Sequence, residues 1–80
     1  MKTVQIRYFA LFREQAGRDT ETLQTVATSV GDLFSEVCAA RGLSDSLPNI
    51  KVALNDELVD MSTAVADGDT VLFFPPVSGG

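Results

Sequence analysis

The chain has no histidine and a single cysteine, which closes off most side-chain chemistry. Without histidine there is no imidazole general base and no histidine metal ligand. Cys38 falls on the apolar stripe of a predicted helix. A cysteine there is a small buried hydrophobe, because a reactive thiol needs an accessible, electropositive setting. Asp56, Glu57 and Asp60 crowd one predicted turn, and Asp67 and Asp69 flank Gly68 at another. Neither group has the spacing of a calcium loop, and both read as solvated turn residues. No glycine-rich phosphate loop is present and no metal site is expected. By elimination, the distinctive reactive group is the carboxylate of Gly80. A carboxylate on a stalk without side chains can enter a narrow channel in another protein, and any Cβ at Gly79 or Gly80 would widen that stalk. The plainer alternative is a frayed terminus.

The residues before that carboxylate must position it. Val71 to Phe74 are apolar without a break, which predicts a strand buried on both faces. Pro75 has no N–H for a ladder and keeps Phe74 extended. Pro76 follows, and paired prolines favour polyproline II, so the chain leaves the sheet stiff and straight. The expected division is a globular body over residues 1–74 and an extended tail over 75–80, with Pro75, Pro76, Val77, Ser78 and Gly79 carrying Gly80 outward.

Earlier in the chain, Val4, Ile6 and Tyr8 alternate with polar residues, predicting a half-buried strand over residues 2–9. Phe9 breaks the polar side of that alternation. Ala10 to Gly17 reads as a helical turn or two. Glu21 to Ala27 reads as a weaker strand with Leu23 and Val26 inward. Val30, Leu33, Phe34, Val37 and Cys38 have the spacing of an amphipathic helix. Ser29 and Asp32 supply a capping-box pattern at its start, and Arg41 and Gly42 suit its end, so it is predicted over 30–41. Leu43 to Ile50 is a connection. Lys51–Leu54 and Glu57–Val59 are short strands around an Asn55–Asp56 turn, and Asp67–Gly68–Asp69 launches the last strand, Thr70–Phe74.

Eighty residues, 45% of them hydrophobic, make one small folded domain. One helix cannot cover both faces of a sheet, so the class is α+β with the helix on one side. The expected arrangement is a β-grasp: a mixed sheet, its first and last strands parallel at the centre, one main helix on one face, and an extended C-terminal tail. The uncovered face should then expose Phe9, Phe12 or Phe74, and such apolar patches mark docking surfaces. A net charge of −5 argues against nucleic acid. No stretch suits a signal peptide or a membrane span, and a lone cysteine suits a reducing compartment, so the expected location is cytoplasmic.

The run Phe73-Phe74-Pro75-Pro76-Val77-Ser78-Gly79-Gly80 resembles the ending of the molybdopterin synthase small-subunit family, ubiquitin-like sulfur carriers. Phe9-Ala10-Leu11-Phe12-Arg13-Glu14 with Gly17, the helix start from Ser29 to Leu33, and Asp67-Gly68-Asp69 are similar to that family too, so the resemblance covers the whole chain. It implies that Gly80 is the sulfur-bearing residue, that Pro75 to Gly79 thread a partner's channel, and that Phe9 and Phe74 form the docking face. It also implies three partners. An adenylating enzyme of the ubiquitin-activating kind would use ATP on the Gly80 carboxylate. A cysteine desulfurase or rhodanese-like donor would supply sulfur. The large catalytic synthase subunit would receive the thiocarboxylate and build the dithiolene on cyclic pyranopterin monophosphate. The chain itself would bind no cofactor and act as a sulfur-donating subunit, with the catalytic side chains on the large subunit. A thiamine-pathway sulfur carrier shares fold and Gly-Gly but usually lacks the Phe-Phe-Pro-Pro-Val run. A ubiquitin-like protein modifier would join Gly80 to lysines, and a plain interaction domain would leave the tail inert.

Overall fold

The computed structural model describes residues 1–44 and 50–75 of the chain. The element order is β1 (Lys2–Tyr8), α1 (Leu11–Ala16), β2 (Thr20–Thr25), α2 (Val30–Arg41), β3 (Lys51–Leu54), β4 (Glu57–Val59) and β5 (Thr70–Phe74). The strands form one sheet in the order β2-β1-β5-β3-β4. Only β1 and β5 pair in parallel; the other three pairings are antiparallel. This is the ubiquitin-like β-grasp, with the first and last strands central as the sequence predicts.

α2 forms where its pattern places it. Ser29, in extended conformation, accepts a bond on Oγ from the Asp32 N–H at 3.1 Å. That leaves the N–H groups of Val30 and Gly31 to be satisfied from outside the helix. The passing chain does this: Val30 donates to the Thr63 carbonyl at 2.9 Å and Gly31 to that of Met61 at 2.7 Å. The approach is tight: a Cβ on Gly31 would lie 3.1 Å from the Met61 oxygen, so a side chain there would press the passing chain back by a few tenths of an ångström. At the other end Gly42, with φ 72°, closes the helix by donating to the Cys38 carbonyl at 2.8 Å.

The core lies between α2 and one sheet face. Val4, Ile6, Val71 and Phe73 come up from the central strands, and Val30, Leu33, Phe34 and Val37 come down from the helix, all buried. Phe34 packs its ring 4.9 Å from Phe73 and 5.8 Å from Phe12. Cys38 is buried beside them, as its place on the stripe predicts.

Three expectations are corrected. Phe12 was expected among residues that the open face could expose; it is fully buried, because α1 turns it into the core. Val26 was expected inward; it is 72% exposed, because β2 ends at Thr25 and the inward places beside it go to Thr25 and Ala27. The last strand was expected to be buried on both faces. It alternates instead: Val71 and Phe73 are buried, while Leu72 and Phe74 are half-buried on the face with no helix. An apolar run marks a strand with apolar demands on both sides, and here one of those sides is surface.

Candidate functional site

The parallel pairing of β1 with β5 decides what gathers at the root of the tail. The register sets Gln5 beside Thr70, Arg7 beside Leu72 and Tyr8 beside Phe73. Both strands therefore finish at the same edge of the molecule, and the next residues, Phe9 and Phe74, meet on the open face. Their rings stand 5.7 Å apart, edge to face at 67°. Phe9 keeps 48% of its surface exposed. The two residues predicted as the docking face are thus in contact, at the point where the chain leaves the sheet.

The open face extends this pair. Leu72 lies between Arg7 and Ala53, and Ala53 lies beside Leu58, so one cross-strand row runs over four strands. Leu58 is 68% exposed. A groove of about 520 Å³ runs along the tail end of this face, walled by Arg7, Phe9, Arg13, Thr20, Leu72 and Phe74. Leu72 and Leu58 were not among the sequence candidates. The period-two alternation of β5 carries the signal for Leu72; Leu58, an apolar residue in a three-residue edge strand, carries only a weak one.

On the helix side of the same edge sits a charged cluster. The Glu21 side chain is only 7% exposed. It accepts from Arg41 Nε at 2.9 Å and from the Tyr8 hydroxyl, and Arg18 reaches it at 3.4 Å. The bond from Arg41 holds the Glu21 carboxyl below its ordinary range against the opposing effect of burial, and the bond from Tyr8 adds to it. Tyr8 is pushed well above the usual phenol range, first by burial and then by its bond to the carboxylate. Its hydroxyl is therefore a neutral donor and not a base. Gln15 adds a second clasp nearby, donating from Nε2 to Ser44 Oγ at 2.8 Å and accepting from the Ser44 N–H at 3.0 Å. These groups tie β1, β2, α1 and the end of α2 together and hold the edge from which the tail departs.

Pro75 is buried against the body. The other predicted channel residues, Pro76, Val77, Ser78 and Gly79, lie outside the described residues, as does Gly80. Among the described residues no three acidic or cysteine side chains converge as a metal site, and no helix is long and apolar enough to cross a membrane. The chemistry supported by this geometry is docking: a rigid apolar face beside the departing chain end.

Comparison with known proteins agrees with the fold and narrows the family. The model of the ThiS family matches residues 6–80. A molybdopterin synthase sulfur carrier subunit from Chlamydomonas reinhardtii is 37% identical, over 96% of this chain and 98% of that protein. The crystal structure of small archaeal modifier protein 1 from Haloferax volcanii superposes with a TM-score of 0.83 at 26% identity, covering 96% of this chain and 100% of that one. A chain in the protein–protein complex of subunits 1 and 2 of molybdopterin-converting factor from Helicobacter pylori matches with a TM-score of 0.66 at 29% identity, over 98% of this chain and 99% of that one. On the match over nearly its full length and on its β-grasp fold, the chain belongs to the ThiS family.

Proposed function

We propose that this chain is the sulfur carrier subunit of a molybdopterin synthase. The carrying observation is the β1–β5 register, which sets the Phe9–Phe74 pair at the root of the Gly-Gly tail. Docking through that pair points the tail at whatever the partner holds behind its surface. The likeness to a subunit-complex structure and to a named sulfur carrier supports the large synthase subunit as that partner.

The chemistry follows from what a carboxylate lacks. It is a poor electrophile, so an adenylating enzyme first joins the Gly80 carboxylate to AMP from ATP, releasing pyrophosphate. A persulfide-bearing donor, of the cysteine desulfurase or rhodanese kind, attacks the acyl-adenylate through its outer sulfur and displaces AMP. A thiol then cleaves the resulting acyl disulfide, leaving as a disulfide with the donor's inner sulfur. The product is a Gly80 thiocarboxylate. With Pro76, Val77, Ser78 and Gly79 leading it from the buried Pro75 into the large subunit, it gives its sulfur to cyclic pyranopterin monophosphate, and two such transfers build the dithiolene. This chain binds no cofactor of its own and supplies no catalytic side chain. A cytoplasmic setting, with its supply of ATP and reduced thiols, suits the sequence.

The test is incubation with the adenylating enzyme, ATP and a sulfur donor, followed by intact-mass measurement. One oxygen should be exchanged for sulfur, localised to the C-terminal peptide. Deleting Gly80 withdraws the carboxylate by about 3.3–3.6 Å, one extended residue. Reacting groups tolerate far less displacement, so transfer should stop while the fold survives. Normal dithiolene formation by the deletion variant would overturn the reading. The likeness to an archaeal modifier favours one second reading, conjugation of Gly80 to lysines. Recovery of the activated chain on lysines of many proteins would select it.

A further inference from the structure

The backbone between Phe9 and Leu11 takes a shape that L-amino acids avoid. Ala10 has φ 52° and ψ −122°. The Phe12 N–H closes this turn on the Phe9 carbonyl at 3.1 Å. Those are the angles of the first central residue of a type II′ turn, a place that glycine dominates because a Cβ is strained there. Two other residues with positive φ, Asn55 at 51° and Asp56 at 71°, are of types that tolerate the left-handed region. Ala10 has no such tolerance.

What surrounds Ala10 gives the strain a use. Behind it, Phe12 is fully buried and anchors the turn in the core. On either side, Phe9 and Leu11 are 48% and 40% exposed, and Phe9 leans edge-on against Phe74. A strained peptide thus joins two exposed apolar side chains at the proposed docking edge. Strained backbone persists only where its surroundings enforce it, and it concentrates at functional sites.

We propose that Ala10 is a positioning residue for docking: its strained turn holds Phe9 and Leu11 in advance in the arrangement that the large synthase subunit receives. This rests on the docking reading above. A glycine at position 10 would relax the backbone but release both side chains into more arrangements, which docking would then have to order. Alanine keeps them ordered at the expense of the free fold.

Three chains separate strain from order in a binding assay against the large subunit encoded in the same genome: the unaltered chain, Ala10→Gly, and a synthetic chain with D-alanine at position 10. D-alanine accepts these angles as an L-residue accepts their mirror image, and it still carries a Cβ. Ala10→Gly should melt about 2–8 °C higher, the relief of strain being partly offset by a freer unfolded chain. It should bind about three- to tenfold more weakly, mainly through faster dissociation. The D-alanine chain should melt higher and keep the original affinity. A purely structural role would move melting and affinity in the same direction. A glycine variant that melts no higher, or one that melts higher and binds as well, overturns the proposal. Failure of the unaltered chain to bind would instead remove the docking reading itself, and this proposal with it.

Discussion

Arg41, in the last turn of α2, bonds through Nε to Glu21 Oε2 at 2.9 Å and so fastens the helix end to the edge strand β2. Arg41 suits its place for the helix dipole, but its distant partner lies 20 residues back along the chain. The pair carries a pH signature. The folded-state value of Glu21 is lowered, so its contribution is fully present above the unfolded value near 4.5 and is lost as pH falls through the lower folded value. Melting temperature should therefore drop as the solution is acidified below about pH 4.5. Glu21→Gln should cost about 1–3 kcal/mol at neutral pH and flatten that acid limb. Thermal melts across the range check both, and an unchanged acid limb in the variant would assign it to other carboxylates.

Leu33 is fully buried at the centre of the α2–sheet interface. Leu33→Ala should cost about 2–5 kcal/mol, a large fraction of what so small a domain has. Denaturant unfolding gives the number directly, and a loss below about 1 kcal/mol would mean that the core closes over the gap.

Cys38 is 6% exposed. Thiol reagents should label the native protein slowly and the unfolded protein fast. Cys38→Ala should lower stability modestly and leave sulfur carriage intact. Rapid native labelling, together with loss of carriage in the alanine variant, would make the thiol the carrier group.

Phe9→Ala removes half of the aromatic pair at the tail root but little of the core. Binding to the large subunit should weaken by about tenfold or more, with a stability change of no more than about 1 kcal/mol. Calorimetry of the complex, set against melts of the free chain, separates the two. Matched losses would place Phe9 in the fold and not in the interface.

How much of this was legible in the sequence differs by element. α2 was readable to the residue because its stripe, its Ser29 cap and its Gly42 stop are all local. The central parallel pair followed from counting one helix against an uninterrupted apolar strand. The fate of each face did not, since a run such as Val71 to Phe74 looks the same whether its second side meets a helix or a docking partner. Long-range contacts were hidden for another reason. Nothing near Glu21 announces Arg41, and nothing near Gly31 announces the Met61 carbonyl packed tightly against it. The strain at Ala10 was equally silent, because alanine before a helix looks ordinary until the backbone angles are known.

The place of β5 in the sheet has a mechanical consequence. It is bonded to β1 on one side and to β3 on the other, and the chain leaves from its end. A pull on the residues beyond Phe74 therefore runs along two ladders at once and loads them in shear, where many bonds must break together. The same pull on an edge strand such as β4 could peel its single ladder one bond at a time. A tail drawn out of a tight channel after each delivery would tug on a strand held on both sides, and the carrier would return for reloading without having to refold.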